Sequence, residues 1–175
     1  MRTLFDALRT SLYATGFILF FGWIALRLRA YDHNFGFAFP GELRSVGIVL
    51  MCAGAALAIL CIATFVVRGR GTPALFDPPR QFVATGPYRY VRNPMYIGGF
   101  CLLLGLGLYL RSPAIALMVI AIILACHLLV IFYEEPTLKR KFGAPYQAYC
   151  ATVGRWLPRL PRAGTRPRMN PGPSA

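Results

Sequence analysis

An all-α, multi-pass integral membrane protein is what this sequence predicts, with about four transmembrane helices, a Pro-rich cytoplasmic connection and a C-terminal amphipathic helix. Three observations predict it. Hydrophobic residues make up 57% of the 175-residue chain and charged residues only 14%, against roughly 45–50% and about 25% in soluble domains. The apolar residues gather in four long runs. Lys and Arg, which dominate a formal charge of +13, fall mostly between and after those runs. There they read as topology determinants facing anionic lipid headgroups. No nucleic-acid motif accompanies the charge, so nucleic acid is not expected as a partner.

The first run extends from Leu12 to Leu28 and is longer than a removable signal peptide requires. The second, Val46 to Val67, holds no charge at all, and the fourth covers Ala114 to Tyr133. Both reach the ~20 apolar residues that a span needs, whereas the first and the third, Tyr96 to Leu110, are shorter. Glycine and alanine recur in the second and third runs (Gly54, Ala55, Ala56, Ala58; Gly98, Gly99, Gly105, Gly107), where small side chains let helices approach closely in lipid. Residues 1–162 are expected to form one membrane-embedded domain, and the Pro-, Gly- and Arg-rich stretch 163–175 a disordered basic tail.

Cations orient the spans. Arg68, Arg70, Arg80, Arg89 and Arg92 sit between the second and third runs, and Lys139, Arg140, Lys141, Arg155, Arg159 and Arg162 follow the fourth. The third and fourth runs are linked by Arg111 alone. The positive-inside rule then places both termini and the Arg80-containing connection in the cytoplasm, as for a protein of a bacterial inner membrane. Arg27, Arg29 and Arg44 fall on the other side and run against that trend. The five cysteines are odd in number, four of them lie within apolar runs, and no Cys/His spacing fits a metal, so no disulfide framework or metal site is expected.

Two segments carry more chemistry than a linker requires. Gly69 to Gly99 interleaves prolines (Pro73, Pro78, Pro79, Pro87, Pro94) with arginines and tyrosines, which makes a stiff, non-helical connection. Glu134 to Pro161 spaces Leu138, Phe142, Tyr146, Tyr149, Val153 and Trp156 at threes and fours, the pattern of an amphipathic helix on a membrane or over a pocket. Glu134 and Glu135 stand at the bilayer edge in a chain with 19 basic residues, so an arginine partner or a cationic ligand would suit them. His127, mid-run among Ala, Cys and Leu, is expected to pack or hydrogen-bond rather than to act as a base. Rings, arginines and carboxylates together would suit a ligand with a carboxylate, a purine, hydroxyls and a cationic centre. S-adenosylmethionine has these parts, but the residues alone do not select it over a dinucleotide.

GPYRYVRNPMYIGG, followed past one apolar run by EEPTLKRKFGAPYQAYCATVGRWLP, resembles the isoprenylcysteine carboxyl methyltransferase family, which is itself similar to membrane phospholipid methyltransferases. The resemblance covers about Gly69 to Pro158 and implies an integral-membrane, S-adenosylmethionine-dependent methyltransferase. By motif position it implies cofactor contacts from Tyr88, Asn93, Pro94, Met95 and Tyr96, with Glu134, and Glu135 beside it, reaching the cofactor's polar end. Arg80, Gln81, Phe82 and Val83 align with a second cofactor-contacting stretch. Glu134 and Arg92 take the catalytic positions, Arg92 with a structural or carboxylate-binding role.

The chain departs from the family pattern in two places. Asn93 stands where many members carry His, and Val130 where the prenylcysteine enzymes have an arginine facing the substrate carboxylate. The implied acceptor is a lipophilic molecule entering from the bilayer: a prenylcysteine-like carboxylate, a phospholipid amine or another membrane-soluble compound, with Val130 pointing away from the first. Membrane lipids are the only other partners expected; no obligate protein partner is inferred. The competing readings are an NADPH-dependent enzyme similar to membrane sterol reductases and a non-catalytic membrane protein with a vestigial pocket.

Overall fold

The computed structural model describes residues 12, 16, 18–64, 67 and 84–159. Arg80, Gln81, Phe82 and Val83, the rest of the Pro-rich connection up to 83, and the tail from 160 onward lie outside the described residues. What is described is helical, and its only β pairing is one isolated bridge between Val91 and Gly154. Helix α1 occupies residues 18–28, and a 3₁₀ segment, Arg29–Phe35, leads toward α2 (Leu43–Thr64). A second 3₁₀ turn, Gly86–Arg89, precedes α3 (Pro94–Leu110). Helix α4 (Pro113–Leu129) passes through a π turn, Val130–Glu134, into α5 (Glu135–Phe142), and α6 (Ala144–Thr152) follows.

Two helices are long and apolar enough to cross a bilayer: α2, with 22 residues, and the continuous Pro113–Phe142 helix, with 30. Helix α3, with 17 residues, is shorter, and α1 is described only in part. Their large side chains face outward, as lipid allows and water would not: Val49, Ile59, Ile120 and Phe132 are all more than 60% exposed.

The most extensive pairing joins α2 to α3. The buried positions of α2 are Gly47, Gly54 and Cys61, seven residues apart, so they form one narrow stripe. On α3, Gly98 and Gly105 repeat the same spacing. The two pairs meet reciprocally. A Cβ on Gly54 would lie 2.6 Å from the Gly98 carbonyl oxygen, and one on Gly47 would lie 2.6 Å from that of Gly105. Backbone therefore packs on backbone, and glycine is obligatory in the seam because any side chain would strike a carbonyl.

The α3–α4 hairpin turns within two residues. Arg111 ends α3 in the left-handed region (φ 59°), where a non-glycine residue is uncommon. Its Nε donates to the Phe39 carbonyl at 2.6 Å, a contact that fixes the turn. Ser112 caps α4 by accepting from the Ile115 N–H at 3.2 Å, with Pro113 at the first helical position. Asp32 adds a second cap, accepting from the Ser112 hydroxyl at 2.8 Å and from the Ala114 N–H at 3.0 Å. Ala25, Leu103, Ile115 and Val119 then form the core shared by α1, α3 and α4.

Two sequence expectations are corrected at the C-terminal side. The helix that carries the fourth run continues through the acidic pair instead of giving way there to a separate amphipathic helix. Pro136 has no N–H to offer the carbonyl four residues earlier, and the π turn just ahead of it absorbs the mismatch, with the Glu135 N–H bonding the Val130 carbonyl instead. The single amphipathic helix expected over Glu134 to Pro161 is two short helices. Gly143, at φ 58°, breaks them apart, and residues 153–159 follow as irregular chain.

Candidate active site

The end of the molecule that carries the motifs is built by three segments. The 3₁₀ turn Gly86–Arg89 and the first turn of α3 form one wall. The π turn with α5 forms the second, and residues 153–156 fold back between them. The Val91–Gly154 bridge fixes this return, with the Arg92 N–H donating to the Gly154 carbonyl at 2.8 Å. Gly154 admits no side chain, since a Cβ there would lie 2.0 Å from the Leu157 carbonyl oxygen. The Tyr149 hydroxyl donates to the Tyr88 carbonyl at 2.6 Å and ties α6 to the first wall.

The adjacent carboxylates face different partners. The Tyr96 hydroxyl donates to Glu134, joining the first wall to the second. Glu135 is held by two arginines: Arg155 as a fork (Nε 2.6 Å, Nη2 2.9 Å) and Arg92 through Nη1 at 3.0 Å. The Glu135 and Arg92 side chains are each 9% exposed and that of Arg155 is 29% exposed, so this triad is largely withdrawn from solvent. The fork raises the Arg155 guanidinium above its ordinary range, keeping it charged. Arg92 Nη1 also approaches the Cys150 thiol at 3.0 Å.

Above the triad lies an aromatic layer. Tyr96 stacks with Phe100 at 6.3 Å between ring centroids, and Trp156 sits 6.2 Å from the first and 5.9 Å from the second. The Trp156 indole donates to His127 Nδ1 at 2.9 Å, so His127 is the hydrogen-bonding histidine that its apolar surroundings predict.

The structure brings Arg92, Asn93, Pro94, Met95, Tyr96, Glu134 and Glu135 to one end and into one connected assembly. Asn93 donates to the Arg155 carbonyl at 3.2 Å. Pro94 is buried at the start of α3. The Tyr88 ring is buried against Cys61, with Met95 and Leu57 packed around it. Burial, more than any neighbour, pushes the Tyr88 phenol well above its ordinary range, and Tyr149 is raised mainly for the same reason; both stay neutral. Arg155 and Trp156, which sequence reasoning counted only as a topology cation and as part of an amphipathic stripe, prove central. No short-range pattern marks them, since they reach residues 20 and 29 positions away.

Two buried polar atoms at this end, Arg92 Nε and Thr85 Oγ1, have no hydrogen-bond partner among the described residues. Such groups are rarely left so in a finished core. They flank the Tyr88 turn, where a polar ligand would satisfy them. With a carboxylate beside aromatic rings, this donor set fits a ligand carrying both hydroxyl or carboxylate oxygens and a positive centre.

Comparison with known proteins bears on the family directly. A search of curated proteins gives no match. Among solved structures, a eukaryotic intramembrane Ras methyltransferase, isoprenylcysteine carboxyl methyltransferase, matches with a TM-score of 0.59 and 21% identity over 80% of this chain. The match covers 51% of that protein, so this chain spans about half its length, and the likeness is one of fold. The family description "Phospholipid methyltransferase" matches residues 43–145, which take in α2 to α5 and both walls of the site. With two helices long and apolar enough to cross a bilayer, the chain is thus an integral membrane protein and belongs to the phospholipid methyltransferase family.

Proposed function

We propose that this protein is an S-adenosylmethionine-dependent methyltransferase acting on a lipophilic acceptor that reaches the site from the bilayer. The observation that carries the reading is the Tyr96–Glu134 junction. It joins the two motif segments and sets a carboxylate beside an aromatic layer at a helix end. Tyr88, Asn93, Pro94, Met95 and Tyr96, with Arg80, Gln81, Phe82 and Val83 from the connection, would hold the cofactor, and Glu134 its amino or ribose groups. When bound, the cofactor supplies an activated methyl group on a sulfonium sulfur.

The residues of the chain contribute placement rather than bond-making. Glu134, anchored by Tyr96, offers a negative oxygen to a cationic or hydroxyl-bearing ligand. Arg92, held through Glu135, would offer the ligand its Nε, which has no partner among the described residues. The rings of Tyr96, Phe100 and Trp156 exclude water from one face, and an in-line displacement from an already activated donor rests mainly on such positioning. Val130 is 1% exposed and apolar, so it offers no cation to an acceptor carboxylate. This favours a phospholipid amine or another membrane-soluble acceptor over a prenylcysteine. An amine or hydroxyl acceptor must lose a proton, and Glu134 would take it.

Four spans, with the site and both termini in the cytoplasm of a bacterial cell, fit the charge distribution. Arg89, Arg92, Lys139, Arg140, Lys141, Arg155 and Arg159 lie at the site end, against Arg27, Arg29, Arg44 and Arg111 at the other.

Calorimetric titration of the detergent-solubilised protein with S-adenosylhomocysteine and, separately, NADPH tests the reading. Binding of S-adenosylhomocysteine, weakened at least about tenfold by Glu134→Gln through loss of a charge-assisted contact, is the expected result. Binding of NADPH alone, or of neither ligand, overturns it.

A further inference from the structure

At the end opposite the Glu135 triad, a cavity of about 370 Å³ is lined by Arg29, Asp32, Ala38, Arg44, Leu110 and Arg111. Three guanidinium groups thus face one carboxylate, and that carboxylate is already engaged. Its Oδ1 accepts from both Ser112 and Ala114, and it sits at the positive end of α4. Arg111 spends its Nε on the Phe39 carbonyl, which anchors the plane of its guanidinium. Among the described residues, the guanidinium groups of Arg29 and Arg44 have no ion-pair or hydrogen-bond partner. Arg27, the other arginine here, lies 5.3 Å from the Trp23 ring centroid and does not line the cavity.

Like charges around one open concavity repel each other unless an anion joins them. The depth of the cavity is set by its lining. Arg44 is the second residue of α2, and Leu110 and Arg111 close α3, so the cavity lies where these apolar helices meet the headgroup layer. Arginine forks match the geometry of phosphate oxygens. The group of cations that runs against the positive-inside trend acquires a role on this account.

We infer that the cavity is a phosphate-anion site, taking either the phosphodiester of an acidic lipid headgroup in the adjoining leaflet or phosphate from solution. It is separate from methyl transfer and does not depend on the cofactor. The test is native mass spectrometry of the full chain in non-ionic detergent with phosphatidylglycerol, phosphatidylcholine or inorganic phosphate. The wild type retains phosphatidylglycerol over phosphatidylcholine. Arg29→Gln/Arg44→Gln lowers that retention on the order of thirtyfold, since each arginine near an acidic headgroup adds comparable attraction. Arg29→Lys/Arg44→Lys, which keeps the charge, retains most of it. Displacement of the lipid by millimolar inorganic phosphate, together with loss of phosphate binding in the glutamine variant, assigns the same site to phosphate from solution. Equal phosphatidylglycerol retention by the wild type and the glutamine variant overturns the proposal.

Discussion

Replacing Glu135 with Ala strips the shared carboxylate from two arginines that differ in exposure, and the difference sets the expected size of each effect. Arg92 is 9% exposed in its side chain and cannot easily recruit water in place of the lost partner. Leaving one member of a buried pair uncompensated costs about 3–5 kcal/mol. Arg155 is 29% exposed, so it re-solvates, and its share is nearer ~1 kcal/mol. Glu135→Ala therefore falls at the upper end of this scale and Arg155→Ala at the lower end. With about 2–4 °C of melting temperature per kcal/mol for a chain of this size, Glu135→Ala shifts unfolding by on the order of 10 °C and Arg155→Ala by about 3 °C. Intrinsic tryptophan fluorescence in thermal scans of the solubilised protein reads both, because Trp156 lies one residue beyond Arg155. The double variant Arg92→Leu/Glu135→Leu should recover much of the loss, since it removes the buried charges instead of orphaning one. Equal shifts for Glu135→Ala and Arg155→Ala, or no recovery in the double variant, would refute the claim that burial of the Arg92 arm sets the energy.

Other expectations concern packing and the aromatic layer. Gly54→Leu drives a side chain into the Gly98 carbonyl, and cross-linking between cysteines introduced on α2 and α3 should show the helices moved apart, with about 1–3 kcal/mol of destabilisation in denaturant titrations. Trp156→Phe keeps the ring but loses its donor to His127, at about 1 kcal/mol. His127→Leu should produce a loss of similar size in thermal unfolding followed by circular dichroism, which does not depend on Trp156, and in a double-mutant cycle the two losses should not add.

The apolar runs were legible in the sequence because a bilayer imposes length and composition on whatever crosses it, and among the described residues helices stand where the runs do. Their ends were less so. Leu43 and Pro94 begin α2 and α3 ahead of the apolar runs, since capping and turn geometry rather than hydropathy decide where a helix starts. The seven-residue glycine spacing was present in the sequence, but its meaning depended on two runs meeting antiparallel in register, which no single run encodes. Pro136 is compatible with a continuous helix because a π turn supplies the slack, which the apolar pattern does not encode. In the site, the pairing of Tyr96 with Glu134 was within reach of motif reading. The fork of Arg155 on Glu135 was not, because it depends on Gly143 and Gly154 turning the chain back on itself.

The glycine seam also has a consequence for traffic. At Gly47–Gly105 and at Gly54–Gly98, about 10 Å apart along the helices, the backbones of α2 and α3 meet directly, with the Met51 side chain packed against Gly105 between the two crossings. An acyl chain finds no gap at either crossing, because backbone, and not a side chain that could change rotamer, fills it. Lateral passage of a hydrophobic molecule between these two helices is blocked at both crossings, and an acceptor of the proposed kind would reach the Tyr96–Glu134 end along another flank of the bundle.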